Sequence, residues 1–162
     1  MPLGALPART VYLPAHYQQV LSDIYAELPA EREQRACSAN VQLPARTSMS
    51  VEETPLNGQR RLLLERAGSD SGVLLSQQLQ AGSESCTEVV YLDIPLADPG
   101  CEHAVRVARE QGMFFGALMV DRRGCDRLRL QRYDEALAAP DHMVVATPQA
   151  RALLDFVQAD RG

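Results

Sequence analysis

With 162 residues, 46% of them apolar, and a formal net charge of −5, the chain has the size and composition of one globular domain over 1–162. A domain of that length buries about two thirds of its unfolded surface. No apolar run approaches the roughly 20 residues a spanning helix needs, and no basic stretch followed by a hydrophobic core opens the chain, so the expectation is a cytoplasmic protein without a membrane partner. All 16 basic residues are arginine. The lack of lysine excludes Schiff-base chemistry, and the lack of a concentrated basic face excludes nucleic acid as the main partner.

Thr10 to Leu13 is a short strand candidate. Pro14 then opens a helix with Tyr17, Val20, Leu21, Ile24 and Leu28 on its apolar face, closed by Pro29. Residues 29–46, rich in Ala, Glu and Arg, fit either a second short helix or a loop. Ser48 to Glu53 and Gln59 to Glu65 flank the turn signal Pro55-Leu56-Asn57-Gly58 and predict a hairpin. Leu62, Leu63 and Leu64 make its second strand apolar on both faces, hence central in a sheet. Val73 to Gln80 reads as a helix.

Residues 87–120 carry the clearest pattern. Val89, Val90, Tyr91, Leu92 and Ile94 form a β-rich apolar run. Asp98 offers a carboxylate to the first free helical amides, and Pro99 stands at the first helical position, where a missing N–H costs nothing. Cys101, Ala104, Val105 and Ala108 share one helical face, and Gly112 ends the helix. Met113 to Val120 returns as a strand. Farther on, Arg127 to Tyr133 alternates as a strand does, with Arg127 and Arg129 on its wet face. Met143 to Ala146 is another strand candidate, and Thr147-Pro148 caps and starts a helix presenting Ala150, Leu153, Leu154 and Val157.

Cysteines stand at 37, 86, 101 and 125, too far apart for a C-x-x-C zinc or redox site. Cys101 on its apolar stripe and Cys86 at a strand start read as small buried residues, and the expected compartment argues against a disulfide framework. His16, His103 and His142 are scattered without ligand spacing, so no metal site is expected. Phe114, Phe115 and Phe156 are too few for a base-stacking platform and are read as core.

The strand, capped helix, Gly stop and Phe-led strand of residues 87–120 resemble the C-terminal half of the GCN5-related N-acetyltransferase (GNAT) fold. A closer likeness is to the divergent GNAT-like domain found beside anti-sigma-type ATP-binding modules in bacteria. That domain has a "YLD-PL-DP" strand exit, a "G-F-F" strand and an "LRLQ" strand, matched by Tyr91 to Pro99, Gly112 to Phe115 and Leu128 to Gln131. The likeness spans roughly residues 9–133 and implies an α/β fold, a mixed twisted sheet flanked by helices, with an added C-terminal strand and helix.

The resemblance also implies a cofactor, acetyl-CoA or another acyl-CoA. In the family the fourth strand leads into a loop of pattern R/Q-x-x-G-x-G/A whose backbone amides hold the pyrophosphate at a helix N-terminus. The corresponding stretch is Arg66-Ala67-Gly68-Ser69-Asp70-Ser71-Gly72, where Ser69 and Ser71 replace the family's small residues and Asp70 adds a negative charge. The implied cofactor contacts are Arg66, Gly68, Ser69, Ser71 and Gly72; the competing reading is that Ser69 or Asp70 caps the next helix. The family's general acid, a Tyr four residues before the Gly-Phe strand, is replaced by Ala108. For a general base the relevant strands offer Glu65, Tyr91 and Asp93, each with a structural alternative, and no catalytic residue is assigned.

Two functions therefore stand open. One is an acyl-CoA-dependent N-acyltransferase with a degenerate pyrophosphate loop, joining a CoA thioester to an amine. The other is a non-catalytic GNAT-fold module that binds a small molecule or a protein partner, in sigma-factor or stress signalling. A strand edge on the C-terminal side would serve a homodimer.

Overall fold

The computed structural model describes residues 8–29, 31–121, 124–133 and 145–162. Strand β1 (Arg9–Leu13) leads through one turn of 3-10 helix into α1 (Gln18–Glu27). Strand β2 (Arg32–Ala36) follows and pairs in parallel with β1, from Arg9 opposite Arg32 to Leu13 opposite Ala36. Within the second helix or loop expected over 29–46, residues 37–46 hold neither helix nor strand, as the loop alternative has it, while Arg32–Ala36 corrects the expectation to a strand. Its sequence, Arg-Glu-Gln-Arg-Ala, holds almost no apolar surface. Backbone pairing to β1 alone defines it, with most of its side chains exposed.

A five-stranded mixed sheet forms the centre, in the order β3-β4-β5-β7-β6. Strand β3 (Ser48–Thr54) and β4 (Gln59–Arg66) make the predicted hairpin, turned by Gly58 at φ +58°. The leucine-rich β4 is an interior strand, as its pattern implies. Helix α2 (Ser71–Glu84) crosses over to β5 (Val89–Pro95), which runs parallel to β4. Helix α3 (Cys101–Glu110) crosses to β6 (Phe114–Met119), and β7 (Arg127–Tyr133) inserts antiparallel between β5 and β6. The fold class is therefore mixed α/β, as expected. Val145 and Ala146 are not in a strand, and Met143 and Val144 lie outside the described residues, as do Arg122 and Arg123. Helix α4 (Pro148–Arg161) starts as predicted, Thr147 Oγ1 accepting from the Ala150 amide at 3.1 Å.

Cross-strand register places Leu62, Leu92, Leu130 and Phe115 on one face of the sheet. The apolar sides of α2 (Leu75, Leu79) and α3 (Ala104, Val105, Ala108) bury against that face to form the core. A fully buried leucine of this kind contributes roughly 1.5–3 kcal/mol relative to an exposed one. At one edge α4 docks through Asp160, whose side chain is 1% exposed and accepts from Tyr17 Oη (2.7 Å), His16 Nε2 (2.7 Å), the Phe115 amide (2.8 Å) and the Arg109 guanidinium. Burial raises the Asp160 carboxyl pKa, but its hydrogen bonds with His16, Tyr17 and Phe115 outweigh that and hold it below the usual carboxylate range.

Two details depart from the sequence pattern. Asp98 does not cap α3 itself. Its carboxylate accepts from the Gly100 amide and the Ala67 amide, both at 2.9 Å, so it ties the turn before α3 to the loop after β4. Cys86 neither starts a strand nor is buried: it is exposed in the turn after α2, at φ +56°.

Candidate functional site

Parallel strands present a crevice beyond their carboxyl ends, where crossover helices leave the sheet. The β4–β5 ladder runs from Gln59 opposite Val89 to Leu63 opposite Asp93 and ends there, although β4 continues to Arg66 and β5 to Pro95. Two irregularities produce the divergence. The register of β3 against β4 steps from Met49 opposite Leu64 to Ser48 opposite Arg66, leaving Glu65 as an extra residue that bends β4. Beyond β5, the Leu96 amide donates to the Asp126 carbonyl (2.9 Å) and the Leu96 carbonyl accepts from the Tyr12 amide (2.7 Å), drawing that strand towards β1.

Arg127 bridges the gap so opened. Its Nη1 donates to the Leu64 carbonyl at 2.7 Å and to the Asp93 carbonyl at 3.4 Å, replacing ladder bonds that the parted strands do not make. A cleft of about 530 Å³ lies at this end of the sheet, between Leu43 and Pro44 on one side and Pro95 and Pro99 on the other, with Arg66 and Arg127 at its border. The carboxylates nearby are already committed. Glu65 accepts from Ser48 Oγ at 2.8 Å, and Asp98 holds the two amides named above. Neither Arg66 nor Arg127 forms an ion pair with a carboxylate among the described residues, although Glu65 and Asp98 also line the cleft and balance their formal charge.

The loop 66–72 forms one wall, and the amides of Ala67, Gly68 and Ser69 are occupied from within the protein. The Ala67 amide goes to Asp98, the Gly68 amide to Thr47 Oγ1 (3.0 Å) and Ser71 Oγ (3.2 Å), and the Ser69 amide to the Pro44 carbonyl (2.8 Å). Neither Ser69 nor Asp70 caps α2 through its side chain, which corrects the capping alternative. Asp70 turns outward to Thr47, accepting from its amide (2.7 Å) and its hydroxyl (2.6 Å), and these bonds lower its pKa. Residues 44–47 thus lie across the loop. The contact is so close that a Cβ on Gly68 would collide with the Arg46 carbonyl group and the Thr47 amide. This is where the loop needs a glycine.

The residues considered for a general base are distributed otherwise. Asp93 is fully buried and salt-bridged to Arg61 Nε (2.6 Å) and Arg129 Nε (2.7 Å). Burial raises its pKa, but these two guanidinium groups outweigh burial and keep it below the usual range, the opposite of what a proton acceptor near neutrality requires. Tyr91 lies under the Arg129 guanidinium, 4.7 Å from ring centroid to charge. Ala108 is buried in α3 against the core and offers no proton. Of the predicted cofactor contacts, the cleft lining thus includes Arg66, together with Arg127, while Gly68 and Ser71 are buried, Gly72 is half-buried and Ser69 is exposed. Among the described residues no group of three or more His, Cys, Asp or Glu could hold a metal ion, and no helix is long and apolar enough to cross a membrane.

The roles of Arg127 and Thr47 were not readable beforehand. Arg127 follows the strand alternation that marks a solvated side chain, and nothing near Thr47 in sequence points to a loop more than 20 residues away. No protein-family model matches the chain, and a search of curated proteins finds no match.

Proposed function

We propose that this protein is a GNAT-like module that binds a small anionic molecule, a carboxylate or a phosphate ester, in the cleft between the diverging ends of β4 and β5, without acyl-transfer chemistry. One observation carries the reading: two guanidinium groups without an ion-paired carboxylate border the cleft, while the Ala67, Gly68 and Ser69 amides of the loop are taken by Asp98, Thr47, Ser71 and Pro44. A guanidinium gives bidentate bonds to carboxylate or phosphate, and the apolar walls suit a compact organic body. Buried Ala108 and ion-paired Asp93 supply neither the acid nor the base of an acyl transfer.

A second reading keeps one observation of its own. The bend at Glu65 and the opening of β4 from β5 lie directly before the loop that the resemblance assigns to the pyrophosphate of acetyl-CoA. Acetyl-CoA would then enter only after residues 44–47 leave the loop.

Calorimetric titration of wild-type protein with a panel of small carboxylates and phosphate esters, and separately with acetyl-CoA, tests both. The expected result is binding of a small anion that weakens at least tenfold in Arg66→Ala, with no heat from acetyl-CoA up to millimolar concentration. Micromolar acetyl-CoA binding, with CoA thiol released when an amine is added, would replace the module with the acyltransferase. Silence from every probe would overturn both readings.

A further inference from the structure

Cys37 and Cys101 are 64 residues apart in sequence, yet their sulfur atoms lie 3.3 Å apart. Cys101 is the first residue of α3 and fully buried; Cys37 follows β2, is half-buried, and opens the segment that runs on to Thr47. Two thiols in contact need only a small approach to form a bond near 2.05 Å. We infer that Cys37 and Cys101 are a reversible oxidation site, at which a peroxide closes a disulfide joining the end of β2 to the start of α3.

The two sulfurs have unequal roles. The two thiols share a hydrogen bond, Cys37 also accepts from the Glu102 amide at the start of α3, and these contacts lower the Cys37 pKa despite its partial burial. Its neighbour's position and full burial push Cys101 up. Cys37 is therefore the sulfur that ionises and that a small oxidant reaches. Its thiolate attacks one oxygen of hydrogen peroxide, forming an S–O bond, breaking the O–O bond and releasing hydroxide, which takes up the proton Cys37 gave off. The Cys101 sulfur then displaces hydroxide from the Cys37 sulfenic acid; the S–S bond forms and the Cys101 proton leaves with that hydroxide as water. Two thiols lose two electrons and one peroxide becomes two waters. Reduction by a thiol reductant reverses it.

The bond would anchor the beginning of residues 37–47, whose far end covers loop 66–72. This inference is independent of the ligand proposed for the cleft. Cys86 is exposed and Cys125 half-buried, with its Sγ directed to the Asp126 carbonyl rather than to another sulfur, so the remaining thiols are not paired with this site.

The test is a timed exposure of the folded protein to hydrogen peroxide, followed by denaturing alkylation and intact-mass and peptide mass spectrometry. The C86S/C125S double variant is treated alongside, to exclude cross-links between molecules. The expected result is loss of two alkylatable thiols, a Cys37–Cys101 linked peptide that disappears on reduction, and a higher Tm for the oxidised protein than for the reduced one. Cys101→Ala should stop at sulfenic acid on Cys37, trapped by dimedone. Full alkylation of all four cysteines after peroxide, or oxidation of Cys37 to sulfinic acid in wild type without a linked peptide, would overturn the inference. The linked-peptide readout on wild type holds even where a variant fails to fold.

Discussion

The two halves of the β4–β5 pair handle charge in opposite ways. Where the strands are hydrogen-bonded, one buried carboxylate, Asp93, has two guanidinium partners, Arg61 and Arg129. Where they part, two guanidinium groups, Arg66 and Arg127, border a cleft that Glu65 and Asp98 also line, without an ion pair to either. The first arrangement is closed and serves stability, because a buried charge is tolerated only when paired and hydrogen-bonded. The second is open, with Arg127 Nη1 engaged by two backbone carbonyls and neither guanidinium ion-paired.

Substitutions should separate the halves. The largest effect is expected from Asp93→Ala, which leaves two guanidinium groups around an empty buried position. Breaking a buried pair costs about 3 kcal/mol, read as a lower urea midpoint at unchanged slope; a cost under about 0.5 kcal/mol would mean the two halves do not differ. Gly68→Ala comes next. The new methyl group meets the Arg46 and Thr47 backbone, and overpacking of this kind costs about 1–3 kcal/mol. Residues 44–47 should be forced away, seen as new proteolytic cleavage there while the core stays protected from hydrogen exchange.

A smaller effect is expected from acid. Asp93 and Asp160 both have folded-state pKa values below their unfolded ones, so their stabilisation is fully present above the unfolded value, about 4, and is lost as pH falls through the folded values. Tm should therefore change little from these groups between pH 7 and 5 and drop below pH 4, with a shallower drop in Asp93→Asn. The smallest effect on stability is expected from Arg66→Ala, an exposed site where changes stay within about 0.5 kcal/mol. There the same substitution should weaken anion binding at least tenfold, measured by calorimetry.

The β5–α3–β6 unit was legible because its signals are local: an apolar run, a proline before the helix, a 3.6-residue stripe, and Gly112 at φ +80°. Even there Asp98 serves a different turn from the expected one, since the Ala67 amide that competes for it lies 31 residues away. Strand β2 was illegible because pairing to an edge requires no side-chain pattern. The site was only half visible. The position of loop 66–72 follows from the hairpin and helix around it, but what occupies its amides depends on residues 44–47. The Cys37–Cys101 contact was invisible for the same reason, as spacing in sequence reports nothing about crossings in space.

The buried carboxylate on α4 has a further consequence for the order of assembly. Asp160 receives hydrogen bonds from His16 and Tyr17, 144 and 143 residues earlier in the chain, and ring contacts join Tyr17 to Phe156 on the same helix. During synthesis the segment around Tyr17 emerges long before its partners exist. It must wait, solvated or held by transient contacts, until α4 has left the ribosome. The β3–β4 hairpin can close from its own residues, but the lock at the sheet edge closes last. A change in α4 that slows its docking should therefore lengthen the time that the aromatic cluster around Tyr17 stands exposed in the nascent protein, even where the finished fold is little altered.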